Sequence, residues 1–199
     1  MIVDYCIGNL RSIQKALETL DADVFISSQE EDLKKADALI LPGVGAFRDA
    51  VKNIMALKPA LFQQIESGKS ILGICLGLQL LFTQSTEGGV HEGLNVFQGQ
   101  ILRLPESVKV PHMGWNTLKI IDSSHHLVEG LAKEEYVYFA HSYYGKIDDK
   151  RTVVALTEYG VEFPSILAKK NVVATQFHPE KSGKTGLMIL KNFLNYVKR

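Results

Sequence analysis

The amino-acid sequence predicts an α/β fold in one domain, residues 1–199, with a mostly parallel central sheet, helices on both of its faces and extra antiparallel strands. In the first half, short apolar runs alternate with segments of helical periodicity, which is typical of parallel strands joined by helices. In the second half the apolar runs are short and lack helical spacing, which indicates antiparallel strands that extend or flank the parallel core. The chain has 199 residues, of which 46% are hydrophobic. That size suits one core, and no internal repeat or linker divides the sequence.

The predicted elements follow in chain order. In the first half, strands are predicted at residues 2–5, 24–26, 38–41 and 70–74. Apolar residues at helical spacing predict helices at residues 10–20, 47–55, 61–65 and 78–82, with Asn9 as a candidate N-cap of the first. In the second half, strands are predicted at residues 100–104, 117–121, 136–139, 153–156, 166–168 and 172–176, before a closing helix at 187–197.

Charge and cysteine content argue against several classes of protein. Lys+Arg and Asp+Glu both number 22, so the formal net charge is zero, and the basic excess of a nucleic-acid or anionic-membrane surface is missing. No stretch reaches the roughly 18–20 apolar residues of a membrane span. We therefore expect neither nucleic acid nor membrane as a partner. The two cysteines, Cys6 and Cys75, are too few for a disulfide framework, and the N-terminus resembles a strand rather than a signal peptide. The cytoplasm is thus the expected compartment.

The strongest motif is Gly73-Ile74-Cys75-Leu76-Gly77, at the junction of the fourth predicted strand with its helix. It has the spacing of a nucleophile elbow, with cysteine in place of serine. Small flanking residues allow a tight turn that exposes the thiol at the carboxyl edge of the sheet, where open α/β sheets bind ligands. The start of the following helix favours the thiolate and offers the N–H of Leu76 to an oxyanion. The alternative is an ordinary buried cysteine. Cys6 has no such setting and is interpreted as a core residue or as one without a role in ligand binding.

A second motif, Gln176-Phe177-His178-Pro179-Glu180, follows an apolar strand. Residues i and i+2 of an extended chain point the same way, so His178 and Glu180 are predicted to share one face, with Pro179 keeping the pair extended. A neutral imidazole can take the proton of a thiol, and a carboxylate on its other nitrogen fixes the tautomer. Two alternatives are a metal site formed by Cys75, His178 and Glu180, and a pair that merely caps the end of a strand.

A third motif, Pro42-Gly43-Val44-Gly45, ends the third predicted strand. Its glycines free the backbone to direct an N–H at developing negative charge, so Gly43 and Val44, together with Leu76, are the candidate oxyanion hole. Taken alone, this motif would be a simple strand-ending turn. With the other two motifs it completes a nucleophile, a base, an orienting carboxylate and an oxyanion donor, which is the set needed for acyl transfer from an amide.

In G-I-C-L-G-L-Q, P-G-V-G and F-H-P-E, taken together, the sequence resembles the class I, triad-type glutamine amidotransferases. The resemblance implies a flavodoxin-like fold and the hydrolysis of glutamine to glutamate and ammonia through a glutamyl thioester; we expect no cofactor and no metal. It also implies a glutamine pocket, with Glu87 meeting the substrate ammonium. The residues implied in this pocket are Gly43, Gly45, Gln79, Glu87, His141, Ser142 and Tyr143. Cys6 departs from the family, which commonly has glycine at that position.

Four further segments, D-Y-C-I-G-N-L-R-S-I, P-H-M-G-W-N, Y-F-A-H-S-Y and H-P-E-K-S, resemble one branch of this family. In that branch the glutaminase is a separate subunit that passes ammonia to a cyclase subunit of (β/α)8 barrel type in histidine biosynthesis. The resemblance therefore implies a heterodimer. The residues implied at the partner interface are Pro111, His112, Met113, Trp115, Tyr138 and Lys181.

Other interpretations stay open at this point. Large side chains such as Trp115, the single tryptophan, are typical of interface hot spots, but a tryptophan can equally anchor a core. The chain could also be the glutaminase subunit of another amidotransferase, for purine or pyridoxal phosphate synthesis, or a free-standing γ-glutamyl hydrolase. A non-catalytic binding module of the same fold is a further alternative, against which the intact candidate residues argue.

Overall fold

The computed structural model describes residues 1–6 and 8–197 of the chain. Its strands are β1 (Ile2–Val3), β2 (Ile26–Ser27), β3 (Ala38–Leu41), β4 (Ser70–Ile74), β5 (Phe82–Ser85), β6 (His91–Glu92), β7 (Phe97–Arg103), β8 (His112–Ile120), β9 (Glu134–His141), β10 (Tyr143–Ile147), β11 (Val153–Glu158), β12 (Glu162–Lys169) and β13 (Val172–Thr175). Its α-helices are α1 (Leu10–Glu18), α2 (Glu30–Lys35), α3 (Phe47–Ile54), α4 (Lys58–Glu66), α5 (Leu76–Leu80) and α6 (Gly183–Val197). No helix in the described ranges is both long and apolar enough to cross a bilayer.

The larger sheet is mixed. As far as the described residues define it, it has nine strands in the order β2-β1-β3-β4-β13-β12-β11-β8-β9. From β2 to β13 the neighbouring strands are parallel, and from β13 to β9 they are antiparallel. The predicted α/β fold with antiparallel additions is confirmed, although the antiparallel half is as wide as the parallel half.

The centre of this sheet brings the three sequence motifs together. All residues of β4 are buried, as expected for a parallel strand covered on both faces. Its parallel neighbours are β3 and β13, with Leu41 paired to Gly73 and Thr175 paired to Ile74 near the carboxyl ends. The segments that follow β3, β4 and β13 therefore meet at one edge of the sheet, and these are the segments that carry the three motifs.

Helices cover both faces of the larger sheet. Side chains of α3, α4 and α5 pack on one face, among them Phe47, Leu61 and Leu78. Side chains of α1 and α6 pack on the other face, among them Leu17 and Phe193. Asn9 precedes α1 as predicted, but its side chain makes no capping hydrogen bond. Because these helices lie on the two faces, a site can form at the edge where β3, β4 and β13 end.

A smaller sheet, β10-β7-β5-β6 in the part of the chain that the structure describes, is not predicted by the sequence pattern. The periodicity of Leu78 and Leu81 predicts a helix through Phe82, but α5 ends at Leu80 and Phe82 begins β5. The Phe82 ring packs so closely on Gly145 of β10 that a side chain at Gly145 would collide with it. β5 forms because it pairs with β7 and because Phe82 packs on β10, so the local sequence pattern does not reveal it. Most other predicted elements are confirmed with shifted ends.

Candidate active site

Cys75 occupies a sharp turn between β4 and α5. Its φ of 54° and ψ of −105° lie in a region that residues other than glycine rarely adopt. The turn closes because Gly77 has no side chain, since a Cβ there would collide with the carbonyl oxygen of Leu41. The N–H of Cys75 donates to the carbonyl oxygen of Thr175 at 2.7 Å and ties the turn to β13. The strand–turn–helix geometry expected of an elbow is therefore present, with Cys75 5% exposed.

His178 and Glu180 form a buried pair beside Cys75. Nδ1 of His178 lies 2.8 Å from Oε1 of Glu180, and the two side chains are 2% and 1% exposed. The pair does not form in extended chain as the sequence predicts, because Pro179–Lys181 makes a single turn of 3-10 helix. Proline suits the first position of a helix, where its missing N–H would have no partner within the helix. A turn rather than a strand brings the carboxylate to the imidazole.

The other nitrogen of His178 is directed into the site. Nε2 is buried and has no hydrogen-bond partner of ordinary geometry among the described residues. Burial alone lowers the pKa of His178, but the opposite charge of Cys75 and the hydrogen-bonded Glu180 carboxylate raise that pKa above its usual value. The arrangement therefore favours a protonated imidazole, and Nε2–H is the group that can protonate a leaving group.

Ser182 fixes the backbone of His178. Its hydroxyl donates to the carbonyl oxygen of His178 at 2.7 Å and accepts from the N–H of Tyr138 at 2.9 Å. The N–H of His178 in turn donates to the carbonyl oxygen of Tyr138 at 2.9 Å. Ser182 and His178 are both buried, so these bonds are shielded from water and hold the imidazole against β9.

A cleft of about 180 Å³ opens at the thiol. It is lined by Val44, Gly45, Cys75, Leu76, Gln79, Glu87, Pro111, Met113, Ala140, His141, Ser142 and Tyr143. Of the residues that the resemblance assigns to the glutamine pocket, all but Gly43 lie in this wall, namely Gly45, Gln79, Glu87, His141, Ser142 and Tyr143. Their individual roles stay predictions.

The polar wall of the cleft is a hydrogen-bonded network. Nε2 of Gln79 donates to the carbonyl oxygen of Tyr143 at 2.9 Å and to Oε1 of Gln176 at 3.3 Å. Nε2 of Gln176 lies 3.8 Å from Sγ of Cys75. Nδ1 of His141 lies 2.8 Å from the same Tyr143 carbonyl oxygen. Because Gln79, Gln176 and His141 are all buried, this wall has a fixed geometry next to the thiol.

Glu87 adds a carboxylate to the cleft wall. Its Oε2 accepts from the N–H of Phe47, the first residue of α3, at 2.9 Å. The start of a helix carries positive partial charge, which stabilises a carboxylate placed there. Glu87 is thereby held in position where an ammonium group of a substrate is expected.

One predicted oxyanion donor, the N–H of Leu76, is not free in this conformation. The N–H of Leu76 donates to the carbonyl oxygen of Gly43 at 3.4 Å, a long hydrogen bond. A side chain on Gly43 is excluded, since its Cβ would lie 2.5 Å from the Cβ of Leu76. The preceding residue is anchored by Tyr5, whose buried hydroxyl donates to the carbonyl oxygen of Pro42. The Gly43 carbonyl thus occupies the N–H that an oxyanion would need, while Val44 stays exposed.

Five of the residues predicted to meet a partner lie on or near the surface of β8 and β9. Met113 and Trp115 point outward from β8 and are 66% and 57% exposed. Tyr138 of β9 packs edge-on against Trp115, with ring centroids 6.2 Å apart. Nζ of Lys181 lies 6.0 Å from the centroid of the Tyr138 ring. Pro111 is exposed at the wall of the cleft. We call these five residues the partner surface.

His112 differs from the expectation of a partner contact. It is only 3% exposed, and its ring is stacked between those of Phe139 and Tyr159. Alternation along β8 turns its side chain to the face opposite that of Met113. The imidazole of His112 therefore belongs to the interior of the protein.

The alternative of a metal centre finds no support in the geometry. Within residues 1–6 and 8–197, the His, Cys, Asp and Glu side chains form no group of three that could hold a metal ion. Nδ1 of His178 is instead engaged by Glu180. The imidazole and the carboxylate are thus paired with each other beside the thiol, an arrangement that could serve a thiol nucleophile and an acid–base partner.

The match to known proteins is consistent with this geometry. The family model described as "Glutamine amidotransferase class-I" matches residues 1–197. The chain belongs to the class I glutamine amidotransferases.

Two relatives named "Imidazole glycerol phosphate synthase subunit HisH" are similar to this amidotransferase along its whole length. The relative from Archaeoglobus fulgidus is 50% identical over 199 residues, which covers 100% of this chain and 98% of the relative. The relative from Caldanaerobacter subterraneus subsp. tengcongensis is 49% identical over 201 residues, which covers 99% of this chain and 98% of the relative. A solved structure described as "Crystal structure of glutamine amidotransferase" has a TM-score of 0.78 at 20% identity, covering 100% of this chain and 99% of that one. This last likeness shows the fold.

Three residues of the amidotransferase site are missing from the prediction made on the sequence. Gln176 lies next to the thiol and Ser182 holds the backbone of His178. Tyr5 anchors the turn at residues 42–45, which we call the oxyanion turn. Gln176 could have been found in the second motif, because it precedes His178 by two positions and residues i and i+2 of an extended chain share a face. Ser182 and Tyr5 lie in quoted motifs, but nothing local shows that their hydroxyls bond to the backbone of Tyr138 and Pro42, which are far away in the sequence.

Proposed function

We propose that this amidotransferase is the glutaminase subunit of imidazole glycerol phosphate synthase. The observation that carries the proposal is the buried series Cys75, His178 and Glu180 at a cleft whose polar wall suits an amide. Identity of 50% over the full length to a relative of that name supports the choice of synthase. The subunit hydrolyses glutamine to glutamate and ammonia. The ammonia passes to a cyclase subunit that forms imidazole glycerol phosphate and an aminoimidazole carboxamide ribonucleotide.

The reaction begins when the thiolate of Cys75 attacks the side-chain amide carbon of glutamine. The tetrahedral oxyanion is stabilised by the N–H groups of Leu76 and Val44 once the carbonyl of Gly43 has turned away. Nε2–H of His178 protonates the amide nitrogen, the C–N bond breaks, and ammonia leaves a glutamyl thioester. His178, now neutral, takes a proton from the water that attacks the thioester. The products are glutamic acid, which ionises, and the original thiolate–imidazolium pair.

The cleft wall gives each part of glutamine a partner. The carboxylate of Glu87 receives the substrate ammonium, and backbone groups of Ser142 and Tyr143 bind its polar atoms. Gly45 lets the oxyanion turn approach the substrate closely, and Gln79 supports the Tyr143 carbonyl. These assignments combine the family resemblance with the location of all five residues in one cleft.

The partner is a cyclase subunit of the (β/α)8 barrel type, in a cytoplasmic heterodimer. Ammonia released to bulk water becomes protonated and loses its nucleophilicity, so a synthase gains from a sealed interface. The partner surface suits this role because it adjoins the cleft through Pro111 and Met113. Exposed aromatic side chains such as Trp115 are typical anchors of such interfaces.

The experiment that tests the proposal is Cys75→Ala in complex with the cyclase subunit. We expect glutamine-dependent synthesis to fall by at least about 10³-fold, as for loss of a nucleophile in other hydrolases, and ammonia-dependent synthesis to be retained. Cys6→Gly is the matched control, because Cys6 is exposed and lies outside the cleft. Glutamine turnover that survives Cys75→Ala would overturn the mechanism.

A second measurement separates the synthase from other amidotransferases. Glutamate release is followed while the cyclase subunit is added to the wild-type chain. Complex formation with stimulated glutamate release supports the imidazole glycerol phosphate synthase. Glutaminase activity that needs neither this partner nor its ligand would point to a free-standing hydrolase, and stimulation only by a purine or pyridoxal phosphate synthase subunit would assign the chain there.

A further inference from the structure

β8 presents its residues to two environments. Met113 and Trp115 face outward, whereas His112 faces inward. In the antiparallel register His112 lies directly opposite His141 of β9, and His141 is part of the cleft wall. One strand therefore carries both an exposed surface and a side chain that reaches the wall of the cleft.

The two imidazoles belong to a series of hydrogen bonds in which each group donates to the next, so that all the donors point the same way. The carbonyl oxygen of Tyr143 can only accept, so Nδ1 of His141, 2.8 Å away, carries a proton. Burial lowers the pKa of His141 to about 3, and a neutral ring with its proton on Nδ1 has an acceptor at Nε2. Nδ1 of His112 lies 3.0 Å from that Nε2 and must therefore be the donor.

Asn116 closes the other end of the series. Burial lowers the pKa of His112 to about 4, so this ring is also neutral and its Nε2 accepts. Nδ2 of Asn116 donates to that Nε2 at 3.2 Å and donates its second proton to the carbonyl oxygen of Glu158 at 3.0 Å. In the direction Asn116 to His112 to His141 to Tyr143, every donor meets an acceptor.

Aromatic packing holds the ring of His112 in the orientation that this series needs. The ring is stacked on Tyr159 with centroids 3.9 Å apart and an angle of 15°, and on Phe139 with centroids 4.7 Å apart and an angle of 20°. The hydroxyl of Tyr159 donates to the carbonyl oxygen of Lys109 at 2.8 Å, which anchors that ring in turn. An imidazole covered on both faces cannot change its orientation unless a neighbour moves.

The Tyr143 carbonyl connects the series to the thiol. Besides the proton of His141 it accepts one from Nε2 of Gln79, at 2.9 Å. Gln79 also donates to Gln176, whose Nε2 lies 3.8 Å from Sγ of Cys75. With two donors the carbonyl uses both of its lone pairs, and it is fixed between two buried side chains.

We propose that His112 is a positioning residue for glutamine binding, which fixes the tautomer and orientation of His141 and, through the Tyr143 carbonyl, the wall of the cleft that receives the substrate. This inference rests on the proposed glutaminase function. It gives His112 a role behind the cleft wall, through His141, rather than in partner contact. Because the wall binds glutamine in the ground state and in the transition state alike, loss of His112 affects mainly the KM for glutamine.

The test compares His112→Phe with His112→Asn in complex with the cyclase subunit. Phenylalanine keeps an aromatic ring between Phe139 and Tyr159 but removes the donor to His141, whereas asparagine returns an amide N–H near the position of Nδ1. We expect His112→Phe to raise the KM for glutamine about tenfold, as for one lost buried hydrogen bond. We expect its kcat to change by less than about threefold, and His112→Asn to have a KM within about threefold of the wild type. An unchanged KM in folded His112→Phe would overturn the proposal. The proposal would also be overturned if kcat fell as much as KM rose and if both variants showed the same changes.

A second measurement needs no variant. Long-range proton–nitrogen NMR spectra of the imidazoles report which ring nitrogen carries the proton. We expect both His112 and His141 to be neutral at neutral pH with the proton on Nδ1. A proton on Nε2 of His141, or a charged ring, would overturn the proposal even where His112→Phe does not fold. Absence of glutamine turnover in the wild-type complex would instead overturn the proposed function, while this spectrum still decides the hydrogen-bond series.

Discussion

The N–H of Leu76 donates to the carbonyl oxygen of Gly43 at 3.4 Å. The two residues belong to the elbow and to the oxyanion turn, so this bond joins the two segments that must cooperate in stabilising negative charge. A hydrogen bond of this length is weak. Rotation of the peptide between Gly43 and Val44 would release the N–H of Leu76 and bring that of Val44 into the site.

The isolated chain is therefore expected to hydrolyse glutamine slowly. Loss of one oxyanion donor costs about 10²–10³ in kcat, so binding of the cyclase subunit with its ligand should raise the rate by that order. The measurement is glutamate release at saturating glutamine, without and with the partner. Equal rates in the two conditions would contradict a closed oxyanion site.

Tyr5→Phe is expected to destabilise the chain. The substitution leaves the carbonyl oxygen of Pro42 without its buried donor, which costs about 1–3 kcal/mol of the free energy of unfolding. The measurement is urea denaturation of the isolated chain. Tyr136→Phe is the matched control, because that ring is 63% exposed and its change should stay within about 0.5 kcal/mol. Similar midpoints for the two variants would show that the hydroxyl of Tyr5 does not anchor the turn.

Cys75→Ala is expected to lower the pKa of His178. The charge of Cys75 raises that pKa against the effect of burial, so removal of the sulfur leaves burial opposed only by Glu180. The measurement is an NMR titration of the His178 imidazole in the wild type and in the variant. Cys6→Gly, the control, should titrate like the wild type. A pKa of His178 that is the same in all three proteins would mean that the thiolate and the imidazolium are not coupled.

Acidification is expected to weaken the fold through His112 and His141. Their pKa values are lowered to about 4 and about 3, below the value of about 6.5 in an unfolded chain. The unfolded chain thus binds more protons below about pH 6.5, and the free energy of unfolding falls as the pH decreases from there towards 4. His178 changes the free energy of unfolding in the opposite direction. Because its pKa is raised in the folded chain, its stabilising contribution is complete in acid and is lost as the pH rises.

His112→Asn removes one of these titrating groups and tests the acid effect. Its free energy of unfolding should decrease less between about pH 7 and about pH 5 than that of the wild type. Urea denaturation at several pH values provides the comparison. Parallel curves for the two proteins would show that His112 does not titrate with an altered pKa.

The sequence predicts the parts of the site that rest on local chemistry. The elbow at Cys75 and the pairing of His178 with Glu180 follow from residues close in the chain, although the pair closes through a turn at Pro179. The orientation of His112 could not be read in the same way. Its neighbours Met113 and Trp115 are large and exposed, and its own burial depends on the ring of Phe139 in β9 and on that of Tyr159 between β11 and β12.

The same distinction applies to the fold. The parallel half is predicted because each buried strand, such as β4, is a continuous apolar run. The smaller sheet is not, because β5 and β10 have no such run and exist through pairing with β7. Phe82 shows the difference, since its helical spacing from Leu78 is outweighed by packing against Gly145.

The backbone angles of Cys75 affect how this position is expected to change in evolution. Glycine would adopt them freely, whereas a residue with a side chain bears a cost of about 1–3 kcal/mol. Cys75→Gly would therefore be favoured by selection for stability, and it is opposed by selection for glutamine turnover. In a duplicated copy freed from that demand, this position is expected to be among the first of the site to drift.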